Sequence, residues 1–137
     1  FIELAGELNA AMPEYWIGKV AERLNDAGKA VRGSTVLVLG VAYKRNIDDI
    51  RESPALDVIR LLHQRGATVR YHDPHVPRLK EDGLDLASVP LTPATLEGVD
   101  GVIVVTDHSA VDYGMVARHA RAVVDTRHAL PRPGGAP

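Results

Sequence analysis

The sequence of 137 residues contains no cysteine. This absence excludes disulfides, a thiol nucleophile, thiolate-bound zinc and iron–sulfur clusters within the chain. Aromatic residues make up only 4%, which argues against the stacking platforms that bind single-stranded nucleic acid. The formal net charge is −2, so the composition shows no basic footprint for nucleic acid either. We therefore expect no nucleic-acid partner.

Long apolar runs are also missing. No stretch approaches the ~20 apolar residues that span a bilayer, and residues 1–4 lack the basic and apolar regions of a signal peptide. These features predict a cytoplasmic protein without membrane contact. The chain has no initiator methionine, and we expect it to begin inside a longer protein.

The first 29 residues carry apolar side chains at spacings of three and four, which predicts a long helix with one apolar face. Pro13 lacks an N–H group and crowds the preceding turn, so a kink or a break is expected there. Gly28 suits the end of the helix. The apolar face needs a cover, which could be the following domain, an upstream domain or a second copy of the chain.

The remaining sequence alternates between strand and helix patterns. Residues 35–39 form a continuous apolar run, which is typical of a strand buried on both faces of a parallel sheet. Ser53 and Pro54 then suit the N-cap and first position of a helix. The predicted fold is α/β, a Rossmann-like doubly wound parallel sheet preceded by a long helix. The further predicted elements are strands at 67–72, 101–105 and 121–125, a weaker helix at 110–119, a possible short strand near Val89–Leu91, and a mobile tail at 131–137.

The connection between the first strand and the second helix is unusually long. It covers residues 40–52 by these boundaries, whereas such connections usually take ~2–6 residues. Its charges balance, and it leads into a helix N-terminus, which favours an anion. The Gly-x-Gly-x-x-Gly fingerprint of dinucleotide-binding domains is absent. An anion or nucleotide site and a surface loop with internal ion pairs are equally compatible with this composition.

Three other clusters contain the residue types of known sites. The acid pair Asp48-Asp49 has no third metal ligand nearby. The run 72–75, His-Asp-Pro-His, is more typical of a turn after a strand. The run 107–109, Asp-His-Ser, has the residue types of a hydrolase triad but no nucleophile elbow. We therefore predict no metal site and give hydrolysis little weight.

Several segments together carry a resemblance to a known family, namely residues 9–15, 40–56, 66–69, 71–77, 104–108 and 124–127. They closely resemble the central helix and C-terminal nucleotide-binding domain of the UDP-glucose/GDP-mannose dehydrogenase family. Within that family, the sequences of the long loop and of residues 71–77 look more like those of the UDP-N-acetylglucosamine 6-dehydrogenases than those of the UDP-glucose enzymes. The resemblance covers nearly all of residues 1–128.

The resemblance implies a function. Family members oxidise C6 of a nucleotide sugar to a carboxylate with NAD, which a separate N-terminal domain holds beside a catalytic cysteine. The resemblance therefore implies a helix at 1–30 that links the domains and forms a homodimer, followed by a UDP-sugar-binding domain at 31–130. It also implies that this chain contains no catalytic residue and that the enzyme has a role in polysaccharide biosynthesis. We expect the chain alone to be inactive. The alternatives are a UDP-glucose 6-dehydrogenase portion and a non-catalytic α/β dimerisation module.

The resemblance also assigns individual residues. Lys44 matches a lysine that contacts the UDP-sugar, and Tyr43 matches its aromatic neighbour. Arg127 matches an arginine after the last strand that meets the substrate. Arg51 matches an arginine that reaches the NAD held by the other domain. Alternatively, Lys44 and Arg51 pair with Asp48 or Asp49 and only shape the loop.

Overall fold

A computed structural model describes residues 2–44, 46, 48–81 and 83–131, with the backbone alone for residues 2–11. Its helices and strands alternate along most of the chain. In chain order they are α1 (Ile2–Asp26), β1 (Thr35–Leu39), α2 (Pro54–Gln64), β2 (Thr68–His72), β3 (Arg78–Glu81), β4 (Leu84–Ala87), α3 (Pro93–Gly98), β5 (Gly101–Val104), α4 (Tyr113–His119) and β6 (Val123–Asp125).

The central element is a parallel sheet of four strands in the order β2-β1-β5-β6. Val36 of β1 aligns with Val69 of β2 on one side and with Gly101 of β5 on the other. The chain winds outward from β1 in one direction and from β5 in the other, so the switch point lies between these two strands. The structure confirms the predicted α/β fold with a parallel sheet.

Apolar layers cover both faces of the sheet. On one face, α2 packs against β1 and β2, and α1 lies beside it against β5 and β6. Ile17, Val20 and Leu24 of α1 belong to this core. On the other face, Leu96 of α3 and Val116 of α4 pack against β1 and β5. Burial on both faces explains why β1 and β5 are apolar without alternation.

The predicted break at Pro13 does not occur, because α1 is one continuous helix from Ile2 to Asp26. A helical proline removes one backbone hydrogen bond. The turns that follow it are fixed by tertiary contacts, since Ile17 and Leu24 are fully buried. Packing of this kind outweighs local propensity.

The predicted strand near Val89–Leu91 is wrong. Residues 89–91 form no strand. Val89 contacts β2 through its N–H, which donates to the Tyr71 carbonyl, and through its carbonyl, which lies 2.7 Å from His72 Nδ1. The chain instead forms an antiparallel hairpin of β3 and β4 before this point, with Gly83 in its turn at φ +82°. It then forms α3, which Thr92 caps by accepting a hydrogen bond from the Thr95 N–H.

Other boundaries shift by a few residues. Helix α4 begins at Tyr113 because Asp112 caps it, and β6 covers only 123–125. The predicted tail lies largely outside the described residues, which end at 131. In the part of the chain that the structure describes, no helix is long and apolar enough to cross a membrane.

Candidate functional site

An open cleft of about 540 Å³ lies at the carboxyl edge of the sheet and is lined by Tyr43, Lys44, Pro54 and Arg127. In open parallel sheets, ligands bind outside the carboxyl ends of the strands, near the switch point. Three of the four residues singled out in the sequence therefore share one cleft. Arg51 is not part of its lining.

The N-terminus of α2 opens at this cleft through Pro54, its first residue. Ser53 is the N-cap, and its Oγ accepts a hydrogen bond of 3.2 Å from the Ala55 N–H. The positive end of the helix dipole thus points toward the cleft. Together with two cationic side chains, this end provides an electrostatic environment that favours an anion.

The cationic side chains in the cleft are accessible. Lys44 is exposed, and its Nζ lies 5.7 Å from the centroid of the Tyr43 ring. In the described part of the chain, Lys44 makes no ion pair with a carboxylate. Arg127 is half exposed and its Nε lies 3.4 Å from Asp107 Oδ1. The alternative in which an acid of the loop pairs with Lys44 is not seen.

Lys44 lies in the β1–α2 loop (residues 40–53), whose inner half (residues 41–44 and 46) is held by the buried carboxylate of Asp73. This carboxylate accepts hydrogen bonds from the N–H groups of Val41 (2.8 Å), Ala42 (3.1 Å) and His75 (2.8 Å). A fourth bond of 2.8 Å comes from His108 Nε2. The Asp73 side chain is fully buried, so these protein donors provide the hydrogen bonds that water would give to an exposed carboxylate.

His108 provides the second attachment of the inner half. Its side chain is fully buried, and its Nδ1 accepts a hydrogen bond of 2.7 Å from the Asn46 N–H. The Asn46 side chain adds a reciprocal pair with Ser109, in which Asn46 Nδ2 donates to Ser109 Oγ and the Ser109 N–H donates to Asn46 Oδ1. The loop after β1 is therefore cross-linked to the segment after β5.

The start of the loop packs tightly against that same segment. Thr106 Oγ1 and Ser53 Oγ both donate to the Ala42 carbonyl, at 2.6 and 3.3 Å. Gly40 has φ +84°, and a Cβ there would lie 2.6 Å from Thr106 Cβ and closer still to the Thr106 carbonyl. Only glycine fits this approach without displacement of the backbone.

Tyr71 supports the turn that carries Asp73. Its hydroxyl donates a hydrogen bond of 2.9 Å to the Val76 carbonyl. Burial, and then the negative charge of Asp73, raise the pKa of Tyr71 to about 12. The hydroxyl therefore stays protonated and keeps donating at any physiological pH.

The outer half of the loop (residues 48–52) is organised at the surface. Arg51 Nε and Nη2 donate to the two carboxylate oxygens of Asp49, each at 3.1 Å. These hydrogen bonds hold the pKa of Asp49 below its usual value. The Arg51 side chain remains 80% exposed. One of the sequence-based alternatives, the pairing of Arg51 with an acid of the loop, is thus seen.

Unusual backbone conformations cluster around the cleft. Among the described residues, the non-glycine residues with positive φ are Asn46 (63°), Glu52 (58°) and His128 (56°). All three lie in the loops that carry Lys44 and Arg127. Such conformations persist where the surroundings impose them, and they concentrate at functional sites.

The hydrolase arrangement is not formed, because His108 pairs with Asp73 and not with Asp107. Within the described ranges, no group of three or more acidic or imidazole side chains could hold a metal ion. Sequence reasoning missed the roles of Asp73, His108 and Thr106. Their positions directly after β2 and β5 are the signal that could have found them, since those ends meet at one edge.

Comparison with known proteins agrees with this architecture. The sequence profile described as "UDP-glucose/GDP-mannose dehydrogenase family, UDP binding domain" matches residues 37–132. A UDP-N-acetyl-D-mannosamine dehydrogenase of Methanococcus maripaludis is 38% identical over 112 residues, which cover 80% of this chain and 24% of the relative. The chain thus spans about a quarter of the length of this relative.

Two solved structures share the fold. A UDP-D-ManNAc dehydrogenase from Pyrococcus horikoshii aligns over 98% of this chain and 32% of its own, with 28% identity and a TM-score of 0.76. A UDP-glucose dehydrogenase from Pyrobaculum islandicum aligns over 90% of this chain and 28% of its own, with 36% identity and a TM-score of 0.69. The fold defines an α/β domain with an open cleft at the carboxyl edge of its parallel sheet. The chain belongs to the UDP-glucose/GDP-mannose dehydrogenase family and contains its UDP-binding domain.

Proposed function

We propose that this chain is the UDP-sugar-binding part of an NAD-dependent nucleotide-sugar 6-dehydrogenase. The observation that carries the proposal is the cleft, which joins Tyr43, Lys44 and Arg127 to the N-terminus of α2. A nucleotide sugar has a diphosphate that needs positive charge and a base that needs an apolar surface. The cleft supplies positive charge through Lys44 and Arg127 and an apolar surface through Tyr43. These are the residues that match the family's substrate contacts.

In this proposal the diphosphate lies between Lys44, Arg127 and the start of α2. Lysine is a point-charge partner for phosphate, whereas arginine offers a planar fork that orients two oxygens. Tyr43 is 49% exposed and supplies a ring surface on which the nucleotide packs. Arg127 is held in reach by Asp107, so binding replaces a surface ion pair with a contact to substrate.

NAD belongs to the proposal as the group that accepts the hydride when it is bound. The described residues fit only a peripheral contact to it, because the loop after β1 lacks the glycine fingerprint and lies against Thr106. Arg51 fits such a contact, since its pair with Asp49 is at the surface and leaves 80% of the side chain exposed. We therefore propose Arg51 as a cofactor contact across a domain interface, with the main NAD site in another domain.

For the sugar we propose a UDP-2-acetamido hexose. The sequence of the β1–α2 loop favours UDP-N-acetylglucosamine. Relatives named for UDP-N-acetyl-D-mannosamine support a sugar of the acetamido class. A UDP-glucose relative with the same fold keeps UDP-glucose as the alternative. Competition between these UDP-sugars for the cleft separates the alternatives, and the tightest binder identifies the sugar.

The 137-residue chain by itself is expected to be inactive. Oxidation of an alcohol to a carboxylate by this family uses a cysteine, and the chain contains none. Reduction of NAD by the isolated chain with a UDP-sugar would contradict this proposal.

The proposed site is tested by calorimetry on the chain with a UDP-sugar. Lys44→Ala is expected to weaken binding by about tenfold or more, since a charge-assisted contact to phosphate contributes ~1.5–3 kcal/mol. Lys80→Ala is the matched control, because Lys80 is also an exposed lysine but lies on β3 and outside the cleft lining. Equal binding by the wild type and Lys44→Ala would contradict the proposed site.

A second function, dimerisation through α1, has one observation in its favour. Tyr15 of α1 is 56% exposed on a helix whose other face is buried in the core. We propose that this exposed side packs against a second copy of the chain. Tyr15→Glu is expected to shift the chain from dimer to monomer in analytical ultracentrifugation, and an unchanged sedimentation coefficient would contradict the dimer interface.

A further inference from the structure

We propose that His108 is a positioning residue for Lys44, and that only its neutral form supports binding in the cleft. The inference rests on the proposed function, because Lys44 is the cleft residue that the loop presents. Lys44 lies between two attachment points of the loop. Asp73 holds the N–H group of Ala42 on one side, and His108 holds the N–H group of Asn46 on the other.

The hydrogen bonds define the protonation of the His108 ring. The Asn46 main-chain nitrogen is a donor, so Nδ1 has to accept and carries no proton. Nε2 then carries the ring proton and donates it to the Asp73 carboxylate, which acts only as an acceptor when ionised. The neutral imidazole with its proton on Nε2 satisfies all of these groups at once.

A second proton breaks this arrangement. It would add to Nδ1 and face the Asn46 N–H, so that two donors point at each other. The main-chain bond to Asn46 is then lost, and this end of the inner half keeps the exposed side-chain pair of Asn46 with Ser109. We infer that acid loosens the loop around Asn46 and lowers the affinity of the cleft for its ligand.

Two titratable groups face the His108 ring. They are the Asp73 carboxylate, 2.8 Å from Nε2, and the His75 ring, 4.6 Å away between centroids. The Tyr113 hydroxyl donates to the main-chain carbonyl of His108 and does not contact the ring nitrogens. A protonated Nδ1 cannot accept from the Asn46 N–H, so the proposed direction follows from the geometry of this contact.

The experiment measures affinity for a UDP-sugar by calorimetry at about pH 7.5 and about pH 5.5, on either side of the usual imidazole range. A UDP-sugar is used because the terminal phosphate of UDP itself titrates near pH ~6. His108→Asn places an amide oxygen close to the position of Nδ1, where it accepts from Asn46 without titrating. His63→Asn is the control, since His63 is exposed near the C-terminus of α2.

The wild type and His63→Asn are expected to lose about tenfold in affinity at the lower pH, which corresponds to one buried hydrogen bond. His108→Asn is expected to change by less than about twofold over the same range. A purely structural role for His108 would not flatten the pH profile. An acid-dependent loss of the same size in His108→Asn would overturn the inference.

A second measurement needs neither ligand nor variant. Nitrogen-15 NMR of the wild-type histidine rings should show His108 with its proton on Nε2 at about pH 7.5. The protection factor of the Asn46 amide against hydrogen exchange should fall as this ring is protonated. A ring with its proton on Nδ1, or an Asn46 amide that ignores the titration, would overturn the inference. If no UDP-sugar binds at either pH, the proposed function fails, and these two observations still decide the role of His108.

Discussion

The two halves of the β1–α2 loop are stabilised in opposite ways. The inner half is tied by main-chain N–H groups to Asp73 and His108, whose side chains are fully buried. The outer half is organised by an exposed pair between Asp49 and Arg51. The first arrangement fixes one geometry, because removing a partner leaves buried polar groups without hydrogen bonds. The second is easily exchanged with solvent or another anion.

This difference matches the roles proposed for the two cations. Lys44, on the inner half, has to meet a substrate at a fixed position relative to α2 and Arg127. Arg51, on the outer half, has to meet a cofactor that another domain carries. A rigid support suits the first task and an exchangeable one suits the second.

The largest expected effect comes from removing the buried acceptor. Asp73→Ala leaves the N–H groups of Val41, Ala42 and His75 and the ring of His108 without their common partner. We expect a loss of about 3–5 kcal/mol in the free energy of unfolding, measured with urea.

The matched variant on the outer half is Asp49→Ala, which removes an exposed carboxylate from the same loop. We expect its urea midpoint to stay at the wild-type value, because exposed ion pairs contribute little. Similar destabilisation by both variants would refute the distinction between the halves.

A smaller effect is expected at the start of the inner half. Gly40→Ala combines a positive φ with a clash against Thr106, and we expect a loss of about 3 kcal/mol. Gly28→Ala is the control, since φ is +77° there but no atom lies within 4 Å of the added Cβ. Its cost should be only ~1 kcal/mol. Equal losses in thermal or urea unfolding would show that the contact with Thr106 is unimportant.

The smallest effect is a difference in pH response. Arg51 lowers the pKa of Asp49, so the outer pair is complete above the usual aspartate range and is lost only as the pH falls through the lowered pKa. Carbon-13 NMR of the Asp49 carboxyl should therefore show a titration below the usual aspartate range in the wild type and a higher pKa in Arg51→Ala. An Asp49 pKa that is the same in both proteins would contradict the account.

Much of this architecture follows from sequence pattern. The continuous apolar runs of β1 and β5 and the Ser53-Pro54 start of α2 have local causes, so their prediction from the sequence was possible. The hairpin of β3 and β4 was missed because its strands have four residues each and one face of polar side chains. The start of α3 carries the signal Thr92-Pro93, which is of the same kind as Ser53-Pro54.

The site likewise contains residues that local sequence motifs predicted and a contact that they did not predict. Tyr43, Lys44 and Arg127 were predicted from the resemblance of short motifs, and the structure places them on one cleft. The Asp73–His108 contact joins residues 35 positions apart, and no local pattern encodes such a distance. From the sequence, Asp73 was interpreted as part of a turn. His108 was considered only as a member of a hydrolase triad, which was given little weight. Only the parallel pairing of β2 and β5 with β1 brings their ends together.

The central claim is that the cleft at the carboxyl edge binds the nucleotide sugar. The most direct measurement is a nitrogen-15 NMR titration of the 137-residue chain with a UDP-sugar. The account predicts that the largest shifts fall on the amides of residues 41–44, 46, 53, 55 and 126–128, around the cleft. Shifts concentrated instead at the opposite edge of the sheet, near Arg23 and Arg121, would contradict it.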